Sequence, residues 1–191
     1  MVGKAFGHRN QNLPKGDLHQ TPYSMTEQLL QVEYFGKKIL EPAAGEGAIK
    51  RVLLEKMHSV EYFDKFYGDK HGDFLEYKKH VDYIITNPPY GKLADDFVLH
   101  AKKICNIKFA FLLRTNYLSG QTRLRKGVYE NLKTVYVFSR MADLKAPIRE
   151  DGKYPTAMIV YAWFIWNMNY LGEPKIKFID NSMYCMRTAD R

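Results

Sequence analysis

Cysteine is scarce in this chain: Cys105 and Cys185 are the only two, they lie far apart, and neither belongs to a CxxC pair. That leaves no disulfide framework and no zinc-binding cysteine pattern, and it suits a reduced, cytoplasmic setting. Long apolar runs are missing too. The longest, MIVYAWFIW from Met158 to Trp166, is too short to span a bilayer and reads as a buried strand, so no membrane partner is expected. The opening MVGKAFGHRNQNLPKG has no apolar stretch of the signal-peptide kind. Internal repeats and low-complexity segments are absent. What is present is a 191-residue chain with 46% hydrophobic and 26% charged residues, ordinary for a globular protein with a real core.

Acidic residues are thin in one place. The formal net charge is +8, and it is unevenly spread: residues 1–100 sum to −1, residues 101–153 to +8 and residues 154–191 to +1. A solvated lysine-rich surface would spread its charges. Concentration in one stretch points to a polyanionic partner.

The pattern predicts a tail over 1–16 and one domain over 17–191. Ser24 and Glu27 have the S-x-x-E spacing of a capping box ahead of a helix with Leu29, Leu30 and Tyr34 on its apolar face. KKIL then reads as a strand, EPAAGEG as a glycine-containing loop, and the residues to about Met57 as an amphipathic helix. SVEYFD and VDYIIT read as strands, with GDFLEY a short turn between them. A helix over Leu93–Cys105 precedes the strand KFAFLLR, and another near Thr122–Leu132 precedes TVYVF. A loop covers Ser139–Pro155, and AMIVYAWFIW and KIKFI are expected to form a closing hairpin across NMNYLGEP. Alternating strands and helices predict an α/β fold, a doubly wound, mostly parallel sheet with an antiparallel C-terminal hairpin. Ligands of such sheets sit at the carboxyl ends of the strands, where both EPAAGEG and the NPPY of DYIITNPPYG fall.

In EPAAGEG, the small residues Ala43, Ala44, Gly45 and Gly47 let backbone pass close to a ligand, and the next helix presents free N–H groups. Many purely structural turns look the same. Asp64 closes the next strand where a ribose hydroxyl would want a carboxylate, with Glu61 as its rival. Asp73 and Phe74 set an acceptor beside an apolar ring, as an adenine would need. NPPY is sharper. The Asn87 side chain and the Pro88 backbone each supply a carbonyl, and two acceptors at one point can take both hydrogens of an –NH2 group. That draws an aromatic amine towards sp³ and concentrates its lone pair. Pro89 stiffens the turn, and Tyr90 offers a face on which a base can stack.

ILEPAAGEGAI and DYIITNPPY together resemble the cofactor and catalytic motifs of S-adenosylmethionine-dependent amino-methyltransferases, most closely the small DNA N6-adenine methyltransferases of phage and mobile-element type. DLHQTPYSMTEQLL is similar to their N-terminal cofactor motif through Thr21 and Pro22, GDFL to their adenine-contacting segment, FAFLLRTNYL to their next strand and YAWFIW to a late one. The likeness runs from about residue 17 to 166. It implies a Rossmann-like seven-stranded sheet and S-adenosylmethionine held by Thr21, Pro22, Glu41, Ala43, Gly45, Gly47, Asp64, Asp73, Phe74 and Asn87. Methyl transfer to adenine N6 in DNA would be carried by Asn87, Pro88, Pro89 and Tyr90, without a metal. The base would be flipped out of the duplex. The family's stretch after the sixth strand is only loosely matched by FSRMADLKAPIREDGKYPT, which leaves Phe138 as the candidate stacking partner opposite Tyr90. With no room for a separate recognition domain, target contacts are expected from the basic segment 114–155, from a recognition partner or from a second copy. Lys102, Lys103, Arg114, Arg123, Arg125, Lys126, Arg140 and Lys145 would hold the phosphate backbone. RNA is the alternative substrate, since phosphate contacts do not distinguish the two. A non-catalytic binding subunit would not need an intact NPPY, and a dinucleotide oxidoreductase would leave NPPY and the basic segment unexplained.

Overall fold

The computed structural model describes residues 20–140 and 158–182; the expected tail over 1–16, Cys185 and Lys145 lie outside these. Helix α1 (Tyr23–Val32) leads into β1 (Lys38–Glu41), α2 (Ala48–Glu55) and β2 (Ser59–Tyr62). Then come β3 (Val81–Thr86), α3 (Lys92–Ile104) and β4 (Cys105–Arg114). A short helix α4 (Gln121–Arg125) precedes β5 (Leu132–Phe138), and β6 (Tyr161–Asn167) and β7 (Lys175–Ile179) complete the order. The strands form one seven-stranded sheet in the order β2-β1-β3-β4-β6-β5-β7.

Only β6 runs against its neighbours; it pairs antiparallel with both β4 and β5. The expected antiparallel element is therefore present, but its partners are β4 and β5. The connection after β6 steps over β5, and β7 pairs with β5 in parallel. Burial explains the placement. The side chains from Ala162 to Trp166 are fully buried, as a central strand covered on both faces requires. In β7 only Ile179 is buried, and Ile176 and Phe178 face solvent, which suits an edge. Both tryptophans of β6 also place their indole N–H: Trp163 donates to the Met25 carbonyl and Trp166 to the Val128 carbonyl.

Strand periodicity sorts the core into two layers. Phe109, Phe111 and Leu113 of β4 join Phe164 and Trp166 under Ala94, Phe97, Val98 and Ala101 of α3. Ala110 and Leu112 join Trp163, Ile165 and Tyr136 under Met25 and Leu29 of α1 and Ile49 and Leu53 of α2. A buried ion pair between Lys108 and Glu33 pins the end of α1 to the sheet, with Lys108 also donating to the Tyr34 carbonyl and the Tyr136 hydroxyl to Glu33.

Two helical expectations change. The Ser24–Glu27 capping box is not formed: α1 starts at Tyr23 with Pro22 as its cap residue, and the Pro22 carbonyl takes the Met25 N–H at 3.1 Å. The helix expected near Thr122–Leu132 is only Gln121–Arg125. Gly127 takes a φ of +69°, open to glycine at little cost, and the Val128 N–H returns to the Arg123 carbonyl, which closes the helix early. Among the described residues no helix is long and apolar enough to cross a membrane.

Candidate active site

Because β1, β2, β3 and β4 run in parallel, the loops that leave them gather at one edge of the sheet. That edge holds an open cleft of about 1050 Å³. Its floor and one wall come from Glu41, Pro42, Ala43, Ala44 and Gly45 after β1, with Ala48 and Ile49 from the start of α2. Asp64 to Tyr67 after β2, Asp73, Phe74 and Leu75, and the whole of Asn87–Tyr90 enclose the rest, together with the buried Thr21. Sequence positions far apart thus share one cavity.

The glycine loop is built for the turn. Gly47 caps α2 in the left-handed region, at a φ of +86°, and Gly45 lies there too, at +54°. Asp64 binds the loops after β1 and β2 together: one carboxylate oxygen accepts the Gly45 N–H at 2.9 Å, and the other accepts the N–H groups of Phe66 and Tyr67. Its rival Glu61 turns to the Tyr77 hydroxyl and Lys79 instead and does not line the cleft. Asp73 caps the turn at Phe74 by accepting the Leu75 N–H, and Lys65 donates to it at 2.7 Å. Burial works to raise the Asp73 pKa, but these hydrogen bonds and the Lys65 charge outweigh it, so the carboxyl sits below its ordinary value. Glu41 is the opposite case. It is 1% exposed, one carboxylate oxygen has no partner, and burial holds its pKa well above the ordinary value despite the nearby Lys50. A buried acceptor left open beside a cleft that narrows to small residues fits a ligand carrying donors or positive charge.

At the far wall the Asn87 amide is held at both ends. Its Nδ2 donates to Thr21 Oγ1 at 3.1 Å, and its Oδ1 accepts the Tyr90 hydroxyl at 2.9 Å. Burial, first of all, pushes the Tyr90 pKa up, so the hydroxyl keeps its proton to donate. Two further residues adjoin Tyr90. Tyr161, at the start of β6, has its ring centroid 5.8 Å away and a hydrogen bond to Tyr90. Arg114, at the end of β4, lays its guanidinium 4.9 Å from the Tyr90 ring centroid. Tyr161 has no signal in the sequence because it sits inside a run that marks only a buried strand. Phe138, expected opposite Tyr90, is instead 3% exposed and packs in the core with Trp163 and Ile179.

The residues expected to hold phosphates divide. Lys102 donates to the Gly127 carbonyl at 2.7 Å and to Glu130, tying α3 to the turn after α4. Arg123 pairs with Asp95 at 2.8 Å, donates to the Ser119 carbonyl and lies over the Tyr117 ring. Both charges are engaged by groups of the protein itself. Arg114 stands beside Tyr90 rather than on an outer face. Lys103, Arg125 and Lys126 are exposed, and Arg140 is partly exposed beside Asn181.

No family model and no curated protein matches this chain. Solved structures do. A modification subunit of a putative type I restriction enzyme from Vibrio vulnificus superposes with a TM-score of 0.57 at 12% identity, over 86% of this chain and 47% of that one. A putative RNA methyltransferase from Pyrococcus horikoshii gives 0.54 at 18% identity, over 83% of this chain and 90% of the other. TrmN from Thermus thermophilus gives 0.52 at 16%, over 80% and 50%. The chain therefore spans about half the length of the Vibrio and Thermus proteins. A magnesium protoporphyrin IX methyltransferase from Synechocystis, solved with S-adenosylmethionine bound, also matches, with a TM-score of 0.50 at 12% identity, over 84% and 86%. The described chain has the Rossmann-like fold of S-adenosylmethionine-dependent methyltransferases.

Proposed function

We propose that this chain is a methyltransferase that uses S-adenosylmethionine to methylate the exocyclic amine of a nucleic-acid base, adenine N6 in DNA first among them. The observation that carries the reading is the Asn87 amide, held by Thr21 and Tyr90 in the wall of the cleft that the glycine loop opens. Glu41, Ala43, Gly45, Asp64, Asp73 and Phe74 would hold the cofactor, with the unpartnered Glu41 oxygen and the Asp64 and Asp73 carboxylates as acceptors. Pro22 and Gly47 cap α1 and α2 beside the cleft, and the Thr21 hydroxyl serves Asn87. When bound, S-adenosylmethionine supplies an electrophilic methyl on a sulfonium.

The chain's own part is positioning and electrostatics. The Pro88 backbone carbonyl and Asn87 Oδ1 accept the two amine hydrogens. A carbonyl oxygen has two lone pairs, so this donation and that of the Tyr90 hydroxyl are compatible. The nitrogen lone pair is thereby turned towards the cleft. An N–CH3 bond forms as the S–CH3 bond breaks, and the amine proton leaves to solvent. In a duplex the base must first leave the stack, at a cost of a few kcal/mol, which stacking on Tyr90 and phosphate contacts offset. Lys103, Arg125, Lys126 and Arg140 are the described side chains proposed for those contacts, and a recognition partner or second copy would add to them.

Methyl transfer from labelled cofactor to duplex DNA, single-stranded DNA and RNA in parallel, followed by nucleoside digestion, tests the reading. N6-methyladenine in DNA is expected. Label in RNA alone moves the substrate to the alternative, and no label in any nucleic acid sinks the proposal.

A further inference from the structure

Arg114 poses a problem that the sequence did not. It ends β4 and stands directly across from Tyr161 in the antiparallel register with β6, so both side chains leave the same face of the sheet. Both reach Tyr90: the guanidinium carbon lies 4.9 Å from the ring centroid and the Tyr161 centroid 5.8 Å. The backbone there is fixed as well, since the Thr115 N–H donates to the Val160 carbonyl at 2.9 Å. Yet Arg114 Nε is buried and has no hydrogen-bond partner. Leaving such a donor unmade costs about 1–3 kcal/mol, so a buried one beside a cleft calls for a partner.

We propose that Arg114 reads the target base: Nε donates to a ring-nitrogen acceptor of the base held at Tyr90, while the guanidinium stays stacked on the tyrosine. The inference rests on the methyltransferase reading and adds a specificity-determining residue to it. Burial of Nε decides between a base and a phosphate. A phosphate of the strand stays on the solvent side, where it meets the terminal nitrogens of an arginine. An acceptor that reaches a buried Nε has to enter the site, as the edge of a flipped base does. Where the acceptor is the ring nitrogen beside the amine, a bare donor also rejects bases: one that presents a ring N–H at that position sets donor against donor, so adenine is selected over a lactam.

The test is a cycle of substrate and enzyme changes. Oligonucleotides, DNA or RNA according to which the wild-type protein methylates, carry adenine, 1-deazaadenine, 3-deazaadenine or 7-deazaadenine at the target. Each deaza base replaces one ring nitrogen by C–H. Wild-type kcat/KM should fall about 10- to 100-fold for one of the three, the range of a hydrogen bond to a charged group. Arg114→Met, which keeps a long side chain against Tyr90, should lose a similar factor on adenine and lose nothing further on that deaza base. Its salt dependence should match the wild type. Arg114→Lys, run alongside with a thermal melt on each variant, separates loss of the hydrogen bond from loss of the fold. Multiplicative losses for all three deaza bases, or a variant whose only change is a shallower salt slope, overturn the proposal in favour of a phosphate contact. Absence of transfer by the wild-type protein overturns the methyltransferase reading itself, and this inference with it.

Discussion

Removing the Thr21 hydroxyl should slow methyl transfer without loosening the cofactor. Thr21 lies just ahead of α1, is 5% exposed, and accepts Asn87 Nδ2 at 3.1 Å. Thr21→Val keeps the β-branched shape and takes away only the acceptor. A neutral hydrogen bond of this kind contributes about 0.5–1.5 kcal/mol net, so if it serves to hold the amide in its reactive orientation, kcat should drop about 2- to 13-fold. Tyr90→Phe removes the second anchor, the hydroxyl that donates to Asn87 Oδ1 at 2.9 Å, and should have an effect of the same size while the ring remains for stacking. Both anchors act on one amide. Once it is released at one end, the other restrains it less, so the double variant should fall short of the product of the two singles, with a coupling of at least about 0.5 kcal/mol. The assay is single-turnover transfer at saturating nucleic acid, with cofactor affinity measured separately by calorimetry. Two results would refute the reasoning: unchanged turnover with weakened cofactor binding, which would make Thr21 a cofactor contact only, or strictly multiplicative losses.

Two other expectations follow from the same structure. Glu41 titrates above its ordinary value of 4.5 because burial disfavours its charge, so between that value and its folded pKa the folded protein holds more protons than the unfolded one. Stability of the ligand-free protein should therefore fall as pH rises through that window, and Glu41→Gln should raise the melting temperature at neutral pH but leave it unchanged near pH 4; a lower melting temperature at neutral pH would contradict this. Among the basic residues, neutralising Lys103, Arg125 and Lys126 together should flatten the salt dependence of duplex binding by up to about 0.9 in log–log slope for each phosphate no longer neutralised. Lys102→Gln and Arg123→Gln, which break the pairings with Glu130 and Asp95, should lower thermal stability and leave that slope alone.

Local signals carried much of this architecture. Alternation of strands and helices, the glycine loop and the double proline each announce themselves within a few residues, and together they placed two loops at one sheet edge. The structure sets Asp64 rather than Glu61 in the cleft because the strand stops at Tyr62 and the chain turns on Asp64's own hydrogen bonds, a choice of one or two residues that periodicity does not make. What was illegible depends on partners distant in sequence. Nothing in YAWFIW says that it pairs with β4 and β5 rather than with KIKFI; its burial on both faces does. A positive charge count cannot tell Arg123, paired to Asp95, from its exposed neighbour Arg125. The meeting of Arg114, Tyr161 and Tyr90 exists only once β4 and β6 are in register. Ser24 fits a good local pattern, but the helix starts earlier, at Tyr23 on Pro22, and Phe138, drawn from a loosely matched stretch, is taken up by the core.

The central claim is that Asn87 carries methyl transfer to a base amine. It is tested most directly by incubating wild-type protein and Asn87→Ala with labelled S-adenosylmethionine and adenine-containing DNA, digesting the product, and measuring cofactor binding on the same preparations. The account predicts N6-methyladenine from the wild type, little or none from Asn87→Ala, and comparable cofactor binding by both. Equal transfer by the variant, or label on any atom other than a base amine, would contradict it.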